Sequence, residues 1–442
     1  MVGSGGREHA LCWRLAQDAL GGSGAVDGGL DLLMVAPGNP GMADVAQVVP
    51  VAIDDTDGLL ALVRREAIEL VVIGPEAPLV AGLADRLRAA GVAVVGPDAA
   101  AARLEGSKDF CRQVAAAAGV PIAAGGTFHD VAGALDFARA RNGRVVVKAD
   151  GLAAGKGVAV CGDMPAAERA IRACLTEGVF GDAGRRIVIE EVLTGQEVSV
   201  VALCDESAIL ALPAARDHKR LGDDDTGPNT GGMGAISPVD EPSDEAVVRI
   251  VESVHRPILA ELARRGVPFR GVLFAGMMLT ADGPMLLECN VRFGDPETQA
   301  TLPRLATALL PLLAAAADSH LADAAADLGI RGTLLPVHRD AAVAVVVAAA
   351  GYPEAPRMGD PVAGIEEARD TGALVFCAGV AGDPGANLMT AGGRVLAVVG
   401  QGTTSDAAIE SAYAGVAYIG IPGMQVRRDI GRTALPVGGS HP

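Results

Sequence analysis

The chain has 442 residues, half of them hydrophobic and only 3% aromatic, and it carries a formal charge of −18. That length suits two to four domains of about 100–200 residues with aliphatic α/β cores, and an acidic chain with few stacking rings makes a poor nucleic-acid binder. Seven cysteines without a CxxC pair argue against a disulfide framework or structural zinc and suit a cytoplasmic setting, while no apolar signal core opens the chain and the apolar run Ala341–Ala350 is only about half a membrane span.

The first hundred residues alternate short apolar runs with helical patterns. Leu32–Ala36, Leu70–Ile73 and Val92–Val95 read as buried parallel strands, with helices over Thr56–Arg65 and Leu79–Ala90 between them. Gly/Pro-rich turns follow the strands, as in a doubly wound α/β domain that binds ligands at its strand ends. Gly3-Ser4-Gly5-Gly6-Arg7-Glu8 is then a strand-to-helix loop able to aim backbone N–H groups at an anion. Only Met1 and Val2 precede it.

From Ser107 the pattern changes. The spacing predicts a helix over Lys108–Ala117, a short strand start at Val120-Pro121-Ile122, and a helix over Val131–Ala140. Strands follow at Arg144–Lys148, Val158–Cys161 and Arg186–Glu191, with a helix at Ala166–Leu175. Val198–Cys204 and Ala208–Pro213 read as paired antiparallel strands, Lys219–Gly234 as a long polar loop, Ala246–Arg264 as a helix, and Val272–Thr280 with Gly283–Cys289 as a hairpin. Leu302–Asp318 reads as a helix and Ala322–Gly332 as a connection. The last unit has strands at Ala341–Ala350, Ala373–Val380 and Gly393–Val399 and a helix at Ser405–Gly415.

Four constellations carry chemistry. Lys148 ends a strand and can reach the α- and β-phosphates of a nucleotide. After it, Gly151, Gly155 and Gly157 let backbone N–H groups approach phosphate oxygens, and Lys156 adds charge for the far phosphates. No Walker sequence is present. Glu190, Glu191 and Val192 follow an all-apolar strand, with Glu197 beyond, and mark a hinge where the chain leaves the sheet. In Glu288-Cys289-Asn290-Val291-Arg292, residues two apart share a strand face. Glu288 and Asn290 then supply two oxygen ligands for Mg²⁺ or Mn²⁺ on ATP phosphates, and Arg292 a guanidinium for the transferring phosphoryl group. Finally, Asp217-His218-Lys219-Arg220 precedes the Gly-rich run to Gly234. There Lys219 is a candidate γ-phosphate contact and Asp217 a candidate for the amino group of a small amino acid.

The lysine–glycine flap resembles that of the ATP-grasp superfamily. Gly5–Ala10, Gly74–Leu79, Lys148–Gly157, Asp217–Arg220, Asp225–Gly234 and Arg292–Thr298 together, in that order, resemble the glycinamide ribonucleotide synthetase family over nearly the whole chain. The resemblance implies an N-terminal doubly wound parallel-sheet domain (1–104), a central ATP-grasp domain (105–320) with a mobile lid at about 120–190, and a small C-terminal α/β domain (333–442). It implies ATP, glycine and 5-phosphoribosylamine as substrates of a magnesium-dependent ligase, acting as a monomer without nucleic-acid or membrane partners. It adds Lys108 to the ATP site, and gives the adenine and ribose contacts to Glu190, Glu191, Val192 and Glu197. Gly5, Gly6, Arg7, Asn39, Glu76 and Asp295 become the phosphoribosylamine contacts. The family has a β-strand ahead of the first glycine loop that this chain nearly lacks. A start assigned too far downstream would account for that, and an added apolar strand would then stabilise the domain. Two alternatives remain open from the residues: another ATP-grasp carboxylate–amine ligase or carboxylase, and a catalytically inactive nucleotide-binding module.

Overall fold

A computed structural model describes residues 1–20, 29–153, 156–383 and 385–432. Three α/β units follow one another along the chain. In the first, Val2–Gly3 pairs in parallel with Met34–Pro37, which pairs with Gln47–Val48. On the other side Val2 bridges to Ile73 beside the parallel pair Leu70–Val72 and Ala93–Val95. The two-residue strand thus takes the centre of a doubly wound sheet. The Met1 carbonyl accepts Ala36 N–H at 2.9 Å and the Val2 carbonyl accepts Gly74 N–H at 2.9 Å, so its short length still satisfies both neighbours. The helix expected over Leu79–Ala90 is two helices, Glu76–Val80 and Leu83–Ala89, because Gly82 between them adopts φ +85°.

The central unit has two antiparallel sheets facing each other. One orders Gly125–Phe128, Ile187–Glu191, Val145–Ala149 and Val158–Cys161. Helices Val131–Arg139 and Met164–Leu175 pack on one of its faces, around Val145, Val147, Ile171, Ile187 and Ile189. Strand alternation sends Val146, Lys148 and Glu190 to the other face. The second sheet orders Ile209–Ala211, Gln196–Cys204, Gly271–Thr280 and Gly283–Asn290. Behind it a long helical stretch runs from Asp244 to Arg264 through a π-helical segment at Val251–His255. There Val251, Ile258 and Leu262 bury against Val200, Leu273 and Ala275.

The last sheet draws strands from two parts of the chain. Arg216–Asp217 and Gly234–Ser237 extend the antiparallel set Ala341–Ala348, Arg394–Gly402 and Leu374–Cys377, and helix Ser405–Val416 covers it. Three expectations need correction here. Lys219–Gly234 contains a small hairpin, Arg220–Gly222 with Thr226–Asn229, held by backbone pairing rather than by an apolar pattern. The helix expected over Leu302–Asp318 begins only at Leu310, because the chain passes through a single 3₁₀ turn at Leu302–Arg304 and then extends. The expected connection Ala322–Gly332 includes the helix Leu321–Asp327.

Candidate active site

A cleft of about 760 Å³ opens between the two central sheets, and its wall continues to the first glycine loop and to Arg394. Its lid side is set by strand pairing. Val146 faces Glu190 across the sheet and Lys148 is two residues on, so Lys148 and Glu190 are diagonal neighbours on the cleft face. Lys148 Nζ lies 2.6 Å from Glu190 Oε2, and the other carboxylate oxygen of Glu190 pairs with Arg112 of helix Lys108–Ala117. Lys148 also donates to the Leu287 carbonyl at 3.0 Å, which joins the lid to the strand opposite. Val160, unusual among valines in being 53% exposed, lines this side of the cleft, as do Val192 and Leu193.

The floor is the strand Gly283–Asn290. Its register against Gly271–Thr280 shifts between Gly276, opposite Glu288, and Met277, opposite Leu286. The bulge leaves Leu287 without a partner in the ladder, and its carbonyl is the one that receives Lys148. Beyond it the alternation resumes: Cys289 and Val291 are buried, whereas Glu288, Asn290 and Arg292 line the cleft. Lys219 Nζ stands 3.6 Å from Glu288 Oε1 and 3.2 Å from Glu197 Oε2. The Lys219 charge, against the cost of burial and with help from Lys148 and Lys108, holds the Glu288 carboxyl down at about 2. Burial disfavours the Lys219 ammonium, yet Glu288 and Glu197 outweigh it and raise its pKa.

This donor set fits magnesium. Glu288 gives an ionised carboxylate and Asn290 an amide oxygen from the same strand face, both hard ligands. Among the described residues no group of three or more His, Cys, Asp or Glu gathers to enclose a metal. Two protein oxygens leave the remaining positions to phosphates and water, which is how magnesium is commonly held in ATP sites.

Arg292 lies beyond the end of that strand, and its fork is engaged by protein. It sits 2.9 Å from Glu105 Oε1 and 3.4 Å from Glu76 Oε2, and it donates to the Phe293 carbonyl at 3.1 Å. Glu105 also accepts from Val291 N–H at 2.8 Å. Glu76, from the first unit, keeps its carboxyl below the usual range; burial opposes this, and Arg292 and Arg7 overcome it.

Asp217 lies deeper. Burial, reinforced by Glu297, pushes its carboxyl well above the usual carboxylate range. Among the described residues its Oδ1 has no hydrogen-bond partner. Glu297 accepts from Ser199 Oγ at 2.8 Å and lines the same part of the cleft. Gly232 must be glycine: its φ is +111°, and a Cβ there would come within 2.7 Å of Asp217 Oδ1.

A second chamber, of about 300 Å³, shares Ser4, Gly5, Asp295 and Arg394 with the large cleft and adds Gly6, Gln299 and the turn residues Gly379 and Gly392. Glu8 caps Gly5 N–H at 2.7 Å and pairs with Arg7 Nε at 2.6 Å, and Arg7 reaches the Phe293 carbonyl at 3.1 Å. Arg394 crosses from the last unit to Asp295 Oδ2 at 2.8 Å and to the Gly231 carbonyl at 2.6 Å. Burial raises the Asp295 carboxyl, but Arg394 and Arg7 pull it below its ordinary value.

The structure therefore gathers most of the expected residues and sets a few apart. Gly157 is in the cleft wall; among the described residues of that wall Gly151 and Lys156 are not found. Gly151 packs instead on Ala183, and Lys156 is exposed. Gly155 lies outside the described residues. Glu191 lines the cleft, but its carboxylate is tied to Ala124 N–H at 2.8 Å. Asn39 sits at the seam between the first and last units: Nδ2 donates to the Ser4 and Cys377 carbonyls at 2.8 and 3.0 Å, and Oδ1 accepts from Gly41 N–H at 2.9 Å. Sequence reasoning passed over Arg112, Glu105, Glu297 and Arg394. Two had a local signal: Glu297 lies inside the Arg292–Thr298 run, and Arg394 ends Gly392-Gly393-Arg394, a triplet opening a strand and like the Gly5-Gly6-Arg7 that opens the first helix.

Comparison with known proteins agrees with this geometry. Three domains described as phosphoribosylglycinamide synthetase match in order: the N domain at residues 1–105, the ATP-grasp (A) domain at 106–298 and the C domain at 342–433. A phosphoribosylamine–glycine ligase of Mesorhizobium japonicum is 45% identical over 98% of each chain, and one of Agrobacterium fabrum is 46% identical over the same share. The crystal structure of the phosphoribosylamine–glycine ligase of Thermotoga maritima superposes with a TM-score of 0.81 at 31% identity, covering 97% of this chain and 98% of that one. A biotin carboxylase domain from Hydrogenobacter thermophilus, at 15% identity and a TM-score of 0.68 over 96% of this chain and 90% of that one, shares the fold. With a lid lysine, a carboxylate–amide strand and a glycine loop in one connected cleft, and all three domains matched in order, the chain belongs to the phosphoribosylglycinamide synthetase family.

Proposed function

We propose that this protein is a phosphoribosylamine–glycine ligase of purine biosynthesis, converting ATP, glycine and 5-phosphoribosylamine to ADP, phosphate and glycinamide ribonucleotide. A glycine carboxylate oxygen attacks the γ-phosphorus and the bond to the ADP oxygen breaks, giving glycyl phosphate. The amine nitrogen of phosphoribosylamine then attacks the acyl carbon, loses a proton, and the carbon–oxygen bond to phosphate breaks. The observation that carries this reading is the contact of Lys148 with the Leu287 carbonyl, one residue before Glu288. It supports the reading because Lys148, proposed to bind phosphate, then faces Glu288, proposed to bind metal, across one cleft.

In this reading the catalysis is positioning and charge neutralisation. Lys108 and Lys148 hold the nucleotide phosphates and Lys219 the γ-phosphoryl group. Glu288 and Asn290 would hold magnesium, which would supply positive charge against the nucleotide phosphates. The exposed face of Val160, with Val192 and Leu193, takes the adenine ring, and Glu197 the ribose. Glu190 acts by holding Lys148 and Arg112. Arg292 stiffens the floor through Glu105 and Glu76. Asp217 and Glu297 receive the glycine ammonium, whose charge would favour the ionised form of Asp217 against burial and Glu297. The backbone N–H of Gly6, at the start of helix Gly6–Ala19, faces the sugar phosphate, beside Gly5, whose own N–H is held by Glu8. The units divide at 1–104, 105–320 and 333–442, and residues 120–190 close over ATP to keep water from the acyl phosphate. The enzyme works as a cytoplasmic monomer; among the described residues no helix is long and apolar enough to cross a membrane.

A coupled ADP-release assay tests the reading, with glycine, phosphoribosylamine (formed in situ from ribose 5-phosphate and ammonia) or magnesium omitted in turn. Each omission should abolish turnover. Full ADP release without glycine or without the phosphoribosyl substrate would overturn it.

A further inference from the structure

Lys219, the proposed γ-phosphoryl contact, sits at the root of the hairpin formed by Arg220–Gly222 and Thr226–Asn229. That hairpin has no core of its own: each residue from Arg220 to Asn229 is exposed or only half-buried. Two strands without a packed face are at best marginally stable in water. The tip is also acidic. Asp223, Asp224 and Asp225 are consecutive, and Asp224 and Asp225 take φ of +55° and +52°, a conformation that residues other than glycine seldom adopt. Something outside the hairpin must hold it.

The last unit supplies that hold. Arg427 is 2% exposed, and an arginine is seldom buried so fully unless it is paired. Its Nη1 donates to Asp225 Oδ1 at 2.7 Å and to the Arg220 carbonyl at 3.2 Å. Its Nε and Nη2 donate to the two carboxylate oxygens of Asp429 at 2.8 and 2.6 Å. Asp429 in turn accepts from Asp224 N–H at 2.9 Å, and Arg428 N–H donates to Asp223 Oδ1 at 2.7 Å. Each residue of the acidic tip is thus tied to the stretch 427–429. The Arg220 carbonyl directly follows Lys219. The carbonyl of Lys219 itself accepts from Thr230 N–H at 2.8 Å and Thr230 Oγ1 at 2.9 Å, at the other end of the hairpin. Together these bonds fix the backbone from which Lys219 Nζ reaches Glu197 and Glu288.

We propose that Arg427 is a positioning residue of the ligase: from the last unit it clamps the hairpin through Asp225 and the Arg220 carbonyl, and so holds Lys219 in place for the γ-phosphoryl group during transfer. This rests on the ligase reading above. Lys108 and Lys148 stand on other elements and keep their hold on ATP without the clamp, so its loss acts on kcat and not on KM for ATP.

The test uses two variants of the full chain, assayed for ADP release with all three substrates. Arg427→Met removes the clamp. Asp225→Gly removes only its outer partner, at a side chain 71% exposed and without straining the positive φ. In each, kcat should fall roughly tenfold or more, with KM for ATP near the parental value. Placed in a Lys219→Met background, either change should add little further loss, because the clamp acts through that lysine. A merely structural role would instead lower the melting temperature and cut kcat by the same factor with or without Lys219. If Arg427→Met does not fold, Asp225→Gly is read in the same way in both backgrounds. The inference is overturned if the folded variants keep the parental kcat, or if their losses multiply with that of Lys219→Met. Failure of the unaltered enzyme to release ADP with its three substrates would sink the ligase reading instead, so the two outcomes are distinct.

Discussion

The large cleft and the smaller chamber are built in opposite ways. In the cleft, side chains carry the chemistry: the charges of three lysines, 108, 148 and 219, act on Glu288, and two of them, Lys148 and Lys219, lie in motifs that are continuous in sequence. In the chamber, backbone carries much of the wall, through Gly5, Gly6, Gly379 and Gly392, and the side chains mostly tie units together. Asn39 joins Ser4 to Cys377, Arg394 joins Asp295 to the last unit, and His9 Nδ1 accepts from Cys377 N–H at 2.9 Å. Damage to the first region should therefore appear in chemistry, and damage to the second in stability and in the use of one substrate.

The largest expected effect is in the cleft. Glu288→Ala removes the only carboxylate among the two proposed metal ligands, and kcat should fall by roughly a thousandfold or more, with a melting temperature close to that of the parent. Near-parental turnover at ordinary magnesium would break the contrast at once. Lys148→Met comes next. It should raise KM for ATP about a hundredfold, by loss of a charged phosphate contact, while KM for glycine and phosphoribosylamine stays put.

The seam, through His9, and the helix behind the second central sheet, through His255, should answer to pH. Burial pushes His9 and His255 down to about 4 from an ordinary 6.5, so both are neutral in the native state. Between about pH 6.5 and 4 the unfolded chain binds protons that the native state refuses, so stability falls as pH falls through that window. From pH 7 to 5 each histidine should cost about 2 kcal/mol, measurable by urea unfolding. His9→Asn keeps an acceptor for Cys377 N–H but cannot titrate, and should flatten the pH dependence by one histidine's share. An unchanged slope would show that His9 is not held neutral at the seam. The smallest effect is at Asn39. Asn39→Ala leaves two buried carbonyls and one N–H without their partner and should cost about 1–2 kcal/mol of unfolding free energy, with KM for ATP unmoved. A variant of parental stability that bound phosphoribosylamine poorly would instead make Asn39 a direct substrate contact.

The same contrast explains what could be read in advance. Helices Thr56–Arg65 and Lys108–Ala117 were predicted with the bounds observed, since each has an apolar face and a capping residue, Asp55 or Ser107, just before it. The strand Glu288–Asn290 and Lys148 were legible because strand alternation places side chains without knowledge of the rest of the fold. Leu302–Asp318 was misread because its apolar residues run on through a 3₁₀ turn that contains Pro303 and an extended stretch where Leu305 pairs with Val337. The hairpin inside Lys219–Gly234 was missed because backbone pairing leaves little pattern in polar side chains. The partner of Arg394 was hidden for a different reason: Asp295 is 99 positions away, and a glycine–arginine run at a strand start says nothing of what lies opposite. Lys156 shows the converse, a residue that fits a motif by spacing but is exposed and is not among the described residues of the cleft wall.

The most direct measurement follows one oxygen atom. Glycine labelled with ¹⁸O in both carboxyl oxygens is turned over with ATP and phosphoribosylamine, and the phosphate released is analysed by mass. If the two walls of the cleft bring the carboxylate to the γ-phosphoryl group, each phosphate carries one ¹⁸O and the amide product keeps the other. Phosphate free of label, at a normal rate of product formation, would contradict the account.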